Sequence, residues 1–350
     1  MRIALAIGDA AGIGPELAAK LLADDLMRDH QPIVVGDARV LRMGMEHAGI
    51  TLDIPVIAPD DLAVGQLPDG PVMLDLQNCA PDDLRLGESS VVAGAASLQN
   101  LATVLRLAQA GLADAAMFTP FNKHAMRLAR PDYVDEIGFI DATLGAARSG
   151  REFNVLDEVW NARVTSHIPL REVSDRLSVE RILGSIRLTV EVMEGAGKPA
   201  PRIGVAALNP HAGDGRNFGD EDDDIIAPAI QKALAEGFNV TGPVPSDTVF
   251  VRATRGEFDA VLTMYHDQGQ IAMKLIGFDR GVTLIAGYGF PIVTPAHGSA
   301  FDIAGQGKAD LGATRMAAKL GADLAKLNPP GGGARALKPG WATEPVGGKA

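Results

Sequence analysis

Cysteine is nearly absent from this chain. With Cys79 alone, no intrachain disulfide and no cysteine-based zinc knuckle can form, so any metal must be held by His, Asp or Glu. The single thiol is expected to be inert packing. Basic residues are also scarce, 32 Lys and Arg against 44 Asp and Glu, and the resulting charge of −12 argues against nucleic acid as a partner; proteins that bind a phosphate backbone carry a basic face. An anionic substrate therefore depends on local cations such as Lys123, Lys274 or Arg280. Apolar runs break well before the ~20 residues of a membrane span. The opening stretch from Met1 to Asp9 is too short and too quickly interrupted by glycine to read as a signal peptide, so no membrane partner is expected and the expected location is cytoplasmic.

What the chain does contain is enough apolar material for a sizeable core, 47% of 350 residues. That length exceeds the usual single domain, so two lobes sharing a cleft are expected. Short Val/Ile/Leu runs alternate with longer amphipathic stretches, the pattern of an α/β protein with a mostly parallel sheet. Strands are predicted over 1–7, 32–35, 115–118, 162–165, 202–207 and 260–264, and helices over 15–23, 90–110, 178–195, 222–236 and 312–327. No internal repeat is visible. Residues 1–327 are assigned to two interleaved α/β lobes. Residues 328–350 open with Asn-Pro-Pro-Gly-Gly-Gly and have too little apolar content to offset ordering, so they are expected to form a flexible tail.

Three histidines follow probable strands: His167 in Thr165-Ser166-His167-Ile168-Pro169, His211 in Asn209-Pro210-His211-Ala212-Gly213, and His266 in Met264-Tyr265-His266-Asp267-Gln268. Carboxyl ends of parallel strands line the ligand crevice of such sheets, so these rings can converge although far apart in sequence. Three imidazoles suit a divalent metal and leave positions open for water or substrate. The alternative is three unrelated loop histidines bonded to backbone, and spacing alone does not decide between them. The stretch from Pro295 to Asp310 combines glycines with His297, Ser299 and Asp302. It suits a loop wrapping a nucleotide, or else a turn-rich connection. A Gly-x-Gly-x-x-Gly fingerprint with strand and helix flanks is missing. The segment Gly8 to Glu16 runs from a strand into a helix with Pro15 in the first turn, which is either an anion-receiving helix start or a plain strand-to-helix turn. Lys123, after Thr119-Pro120-Phe121-Asn122, is either solvated or aimed into the cleft.

Together these segments resemble the 4-hydroxythreonine-4-phosphate dehydrogenase family of the vitamin B6 pathway, over nearly the whole chain except its tail. The motifs that carry the resemblance are Gly8-Asp9 through Gly14-Pro15-Glu16, Asn122-Lys123, Thr165 to Leu170, Asn209 to Gly215, Asp247-Thr248, Tyr265 to Gly269 with Lys274, and His297 to Asp310. The last segment is also similar to the adenosine-binding loop of isocitrate and isopropylmalate dehydrogenases, so the resemblance implies their two-lobed fold with a central cleft. It further implies that His167, His211 and His266 hold a divalent metal (Zn, Co, Mn, Mg, Ni or Fe), that His297, Gly298, Ser299, Ala300 and Asp302 bind NAD or NADP, and that a homodimer shares its active sites. The implied reaction is oxidation of a secondary alcohol on an anionic hydroxy acid, with decarboxylation where the new carbonyl lies β to a carboxylate. Lys274 would neutralise substrate charge. Asp247 and Asp267 are candidates both for orienting a histidine and for accepting the proton.

Where family members on the phosphorylated threonine carry Gly-His-Thr for phosphate contact, this chain has Asp135-Glu136-Ile137. Their substrate-facing Asn corresponds to Thr283, and their Arg to Ile292. Each lost charge-assisted contact forfeits roughly 1.5 to 3 kcal/mol. The expectation is therefore a paralogue with a different substrate, phosphorylated or unphosphorylated, for which Asp135, Glu136, Lys274 and Thr283 are the contact candidates. Carboxylated cis-dihydrodiols of the terephthalate type are one alternative, with Asp135 and Glu136 bonding substrate hydroxyls or merely capping a helix. A non-catalytic metal- and NAD-binding protein is another.

Overall fold

The computed structural model describes residues 1–62, 69–328, 337–338 and 340–345. Among them are twelve strands: β1 Arg2–Ala6, β2 Gln31–Gly36, β3 Val56–Ile57, β4 Val72–Asp75, β5 Ala115–Phe118, β6 Arg151–Val155, β7 Trp160–Arg163, β8 Ile203–Ala206, β9 Val240–Val244, β10 Ala260–Thr263, β11 Val282–Ala286 and β12 Ile292–Pro295. The chain divides into two compact units. One comprises Met1–Arg151 with Leu284–Ala350, and the other Glu152–Thr283.

In the first unit the strand order is β3-β4-β2-β1-β5-β12, and every pairing is parallel. Parallel strands need both faces covered, which is why β1 and β5 read as short continuous apolar runs rather than as alternations. Leu101 and Leu105 of the helix Val91–Gln109 pack with Ala4, Ile33, Val35 and Leu74 in this core. Ser90 starts that helix by accepting from Ala93 N at 3.1 Å. By length and composition the helix could cross a membrane, but 72% of the apolar window is buried inside the protein, so its apolarity serves the core.

The second unit has the order β6-β7-β10-β8-β9. β6 pairs antiparallel with β7, and the remaining pairs are parallel. Val249, Phe258, Val261 and Met273 form its core. The helix Val179–Gly195 starts at Ser178, which accepts from Arg181 N at 3.2 Å. The helix predicted over 222–236 forms, its first turn, Asp222–Ile226, π-helical and the rest, Ala227–Ala235, α-helical. Asp222 ties its start to the preceding loop. Its buried carboxylate accepts from the backbone N–H groups of Leu208 and Asn209 at 2.8 and 3.1 Å, which fixes the loop leading to His211.

The flexible tail expected over 328–350 falls mostly outside the described residues, and within the described part residues 341–344 are held. Trp341 is 3% exposed and donates from Nε1 to the carbonyl of Pro59 at 3.2 Å, while Arg106 donates to the carbonyls of Trp341 and Glu344 at 2.9 and 2.8 Å. The composition average hid one large aromatic residue whose burial anchors the segment.

Candidate active site

β7, β10 and β8 lie side by side and run parallel, so the loops after their carboxyl ends start next to one another. His167 follows β7, His266 is the first residue of the helix His266–Gly277 after β10, and His211 lies in the turn Pro210–Gly213 after β8. Backbone bonds pin the first two loops together. Val164 N donates to Thr263 O at 2.9 Å and Thr165 N to Met264 O at 3.1 Å, and Thr165 Oγ1 donates to the same Met264 carbonyl at 2.7 Å. The rings of His167 and His266 stand 5.5 Å apart between centroids.

His266 Nδ1 lies 2.6 Å from Oδ1 of Asp267. A carboxylate there accepts the Nδ1 proton and leaves Nε2 as the ligating atom, the usual support of a metal-bound imidazole. His211 is different. Its ring faces Phe218, 6.5 Å away between centroids, and its backbone is left-handed with φ +53°. Among the described residues no group of three or more His, Cys, Asp or Glu is arranged to hold a metal within this one chain. The donor chemistry of His167 and His266 fits a divalent cation as a pair, and the structure does not add His211 to that pair.

Lys274 stands two helical turns beyond His266 and is exposed; Asp247 is exposed near the start of the helix Ser246–Thr254. Thr283 accepts from Asn154 Nδ2 at 3.4 Å, and Asn154 Oδ1 accepts from Gln270 Nε2 at 2.8 Å. Buried Asn161 donates to Thr263 Oγ1 at 3.2 Å. Next along β7, Arg163 has a side chain only 2% exposed and lies 2.8 Å from Glu152. Sequence reasoning passed over Asn154, Asn161, Arg163 and Gln270. The available signal was an Asn and an Arg inside a strand flanked by apolar residues.

In the first unit, segments distant in sequence meet around the expected cofactor loop. Ile13 N donates to Ser299 O at 3.0 Å, and Asn122 Nδ2 lies 3.4 Å from Ser299 Oγ. Gly12 is obligatory there, since a Cβ would fall 2.7 Å from Ser299 O. Lys20 donates to the carbonyls of Gly307 and Ala309 at 3.0 and 2.7 Å and pairs with buried Glu16 at 2.7 Å, closing the far side of the loop. Ala300 is left-handed at φ +41°. His297 Nδ1 bonds the Gly298 carbonyl at 3.0 Å, and the Asp302 carbonyl accepts from Gln306 at 2.8 Å.

Asp135 caps the helix Glu136–Leu144 by accepting from Gly138 N at 2.9 Å. Glu136 pairs with Lys123 at 2.8 Å. Asp9 is fully buried, and burial pushes its carboxyl up to about 6 against a hydrogen bond from the Ala11 amide. Burial likewise pushes the Cys79 thiol up to about 12, which suits inert packing. A cavity of about 360 Å³ lies beside Gln99, Arg106 and Ala342, and none of the candidate residues lines it.

The architecture is that of the isocitrate-type dehydrogenases. A β-decarboxylating dehydrogenase from Thermococcus kodakarensis aligns with a TM-score of 0.50 at 17% identity, covering 92% of this chain and 83% of that one. The chain is a dehydrogenase, an oxidoreductase acting on a hydroxyl group. Residues 28–321 match the family described as pyridoxal phosphate biosynthetic protein PdxA, and the chain belongs to that family. A Rhizobium meliloti (strain 1021) protein provisionally named 4-hydroxythreonine-4-phosphate dehydrogenase 2 is 54% identical, over 93% of this chain and 93% of its own. The D-threonate 4-phosphate dehydrogenase of Salmonella typhimurium is 36% identical, over 92% of this chain and 98% of its own. Among solved structures, a terephthalate 1,2-cis-dihydrodiol dehydrogenase from Burkholderia xenovorans aligns with a TM-score of 0.62 at 29% identity, covering 92% of this chain and 98% of that one.

Proposed function

We propose that this chain is an NAD-linked, divalent-metal-dependent dehydrogenase that oxidises the secondary alcohol of an anionic, unphosphorylated hydroxy acid, with loss of carbon dioxide where the ketone formed lies β to a carboxylate. The observation that carries the reading is the pairing of His167 with His266 at 5.5 Å, with Asp267 holding Nδ1 of the second ring. A bound cation supplies Lewis acidity that lowers the alcohol pKa, and nicotinamide supplies the hydride acceptor.

The remaining work falls to the chain's own groups. Asp267 is occupied in orienting His266, which leaves Asp247 as the proton acceptor. Lys274 neutralises the substrate anion. The loop from His297 to Asp302, braced by Ile13 and Asn122, holds the nucleotide. His211 serves the metal of a second copy, so the site is shared between the subunits of a homodimer.

A second reading keeps the same machinery and takes a carboxylated cis-dihydrodiol as substrate. It is favoured by the Lys123–Glu136 pair, which puts a carboxylate where relatives on the phosphorylated threonine have a phosphate contact.

Subunit mixing tests the shared site. His211→Gly, chosen because glycine tolerates the left-handed backbone, and His266→Ala should each be inactive. Random re-pairing of the two variants should restore about a quarter of the sites. Recovery of none, with both variants folded and dimeric, sinks the shared-metal reading. Assays of wild type with 4-hydroxythreonine 4-phosphate, D-threonate 4-phosphate and terephthalate cis-dihydrodiol decide the substrate class. Efficient use of either phosphate ester removes the unphosphorylated assignment.

A further inference from the structure

The buried side-chain polar atoms that lack a hydrogen-bond partner among the described residues of the second unit all lie on β7 or the turn after it: Oδ1 of Asn161, the guanidinium nitrogens of Arg163, and Oγ of Ser166. Buried polar groups are otherwise nearly always partnered, so their concentration at one place points to a ligand rather than to scattered packing faults. Arg163 is the outlier. Nη2 reaches Oε1 of Glu152 at ion-pair distance, 2.8 Å, while Nε and Nη1 meet no acceptor and the side chain is 2% exposed. A guanidinium has donors only and keeps its charge at any ordinary pH. One carboxylate at one nitrogen leaves the rest of that fork unused.

The strand geometry fixes what surrounds it. Asn154 of β6 is the register partner of Asn161 of β7, so Glu152 and Arg163 stand two residues further along the same antiparallel pair and share its face. That face is covered by the helix His266–Gly277: a Cβ on Gly269 would fall 2.2 Å from Asn161 Oδ1. Gln270 of this helix, Asn154 and Thr283 form one hydrogen-bonded chain on it. Arg163 is the last residue of β7, at the strand end from which His167 follows and beside which His266 begins its helix. A buried cation with unused donors thus stands at the strand end that leads to His167.

We infer that Arg163 is the receptor for a substrate carboxylate, with Glu152 setting its charge and orientation. The inference rests on the reading of the chain as a dehydrogenase of an anionic hydroxy acid, and it names the anion. Arg163 and Glu152 together are neutral, so the pair cannot compensate a phosphate dianion. A planar monoanion that accepts from the guanidinium fork satisfies the unused donors without adding a second uncompensated charge. If the pair were only a structural ion pair, both members would be needed for the same reason and their loss would act in the same direction.

That difference in sign is the test. Acetate and inorganic phosphate serve as carboxylate monoanion and phosphate probes, titrated calorimetrically into the protein. Wild type should bind acetate more tightly than phosphate. Arg163→Met should weaken acetate by about tenfold or more, the cost of a charge-assisted contact, and Glu152→Gln should tighten it by freeing the guanidinium. Failure of wild type to bind acetate overturns the assignment, as does an unchanged affinity in Arg163→Met, a weakening in both variants, or a preference for phosphate. If Arg163→Met does not fold, the sign of the Glu152→Gln effect still decides. Should acetate behave as expected while no hydroxy acid is oxidised, the function reading falls and the carboxylate site stands.

Discussion

Lys123 Nζ lies 2.8 Å from Oε2 of Glu136. Taken singly, the lysine is a local cation available to a substrate anion and the glutamate a carboxylate that repels one. As a pair they offer neither. Glu136→Gln should release the ammonium while keeping the helix start, since Asp135 provides the cap. The KM for a phosphorylated alcohol should then fall about three- to tenfold, within the range of an exposed charge contact at an anion site, and the KM for an unphosphorylated acid should hardly move. An unaltered ratio of the two KM values would show that this pair does not face the substrate.

Asp267→Asn addresses the metal rather than the substrate. The 2.6 Å contact between Asp267 and His266 Nδ1 fixes the ring and raises the basicity of Nε2. Loss of such a carboxylate typically costs ten- to hundredfold in metal affinity. Metal content after dialysis against graded chelator should drop accordingly, with thermal stability little changed because Asp267 is mostly exposed. Wild-type metal retention would leave Asp267 free for the proton-accepting role assigned to Asp247.

Much of this arrangement was legible in the residues. β1, β5, β8 and β10 coincide closely with the apolar runs that predicted them, because strands buried on both faces leave no alternation to confuse with a helix. The three histidine loops were legible for a related reason: each follows such a strand. Which rings meet was not, because that depends on β7, β10 and β8 being neighbours, a long-range pairing with no local signature. Arg163 was missed since a charged residue in an apolar strand reads as an edge or an error until its partner Glu152, on a strand the periodicity did not predict, is in place. Trp341 was missed because the tail was read by its average composition, in which one aromatic residue carries little weight.

Gly12→Ala tests the proposed cofactor loop. A Cβ at residue 12 would meet both the carbonyl oxygen and the Cβ of Ser299, at 2.7 and 2.8 Å, and neither can move without shifting the bond from Ile13 N to Ser299 O. Displacement of a binding loop by even an ångström can cost about a hundredfold. The expected result is a KM for NAD raised by about ten- to a hundredfold, with metal content unchanged. A normal NAD KM in a folded variant would remove residues 297–302 from the cofactor site.

Asp9→Asn should stabilise the protein, and only above acid pH. The side chain is 0% exposed and Oδ2 has no partner, so burial holds the carboxyl near 6 where an ordinary aspartate titrates at 3.8. Between those values the folded state keeps a proton that the unfolded chain has lost, and stability falls as pH rises through this window. Above it the charged, buried carboxylate carries the full penalty, on the order of 3 kcal/mol for a shift of about two units. Asparagine keeps the acceptor for Ala11 N, seen at 2.8 Å, but buries an amide that itself lacks a partner, which offsets part of the gain. Urea unfolding should therefore show the variant more stable than wild type by about 1 to 3 kcal/mol at pH 7, with that advantage lost by pH 4. A variant less stable at pH 7 would mean that the ionised Asp9 has a compensating partner in solution, such as a bound cation.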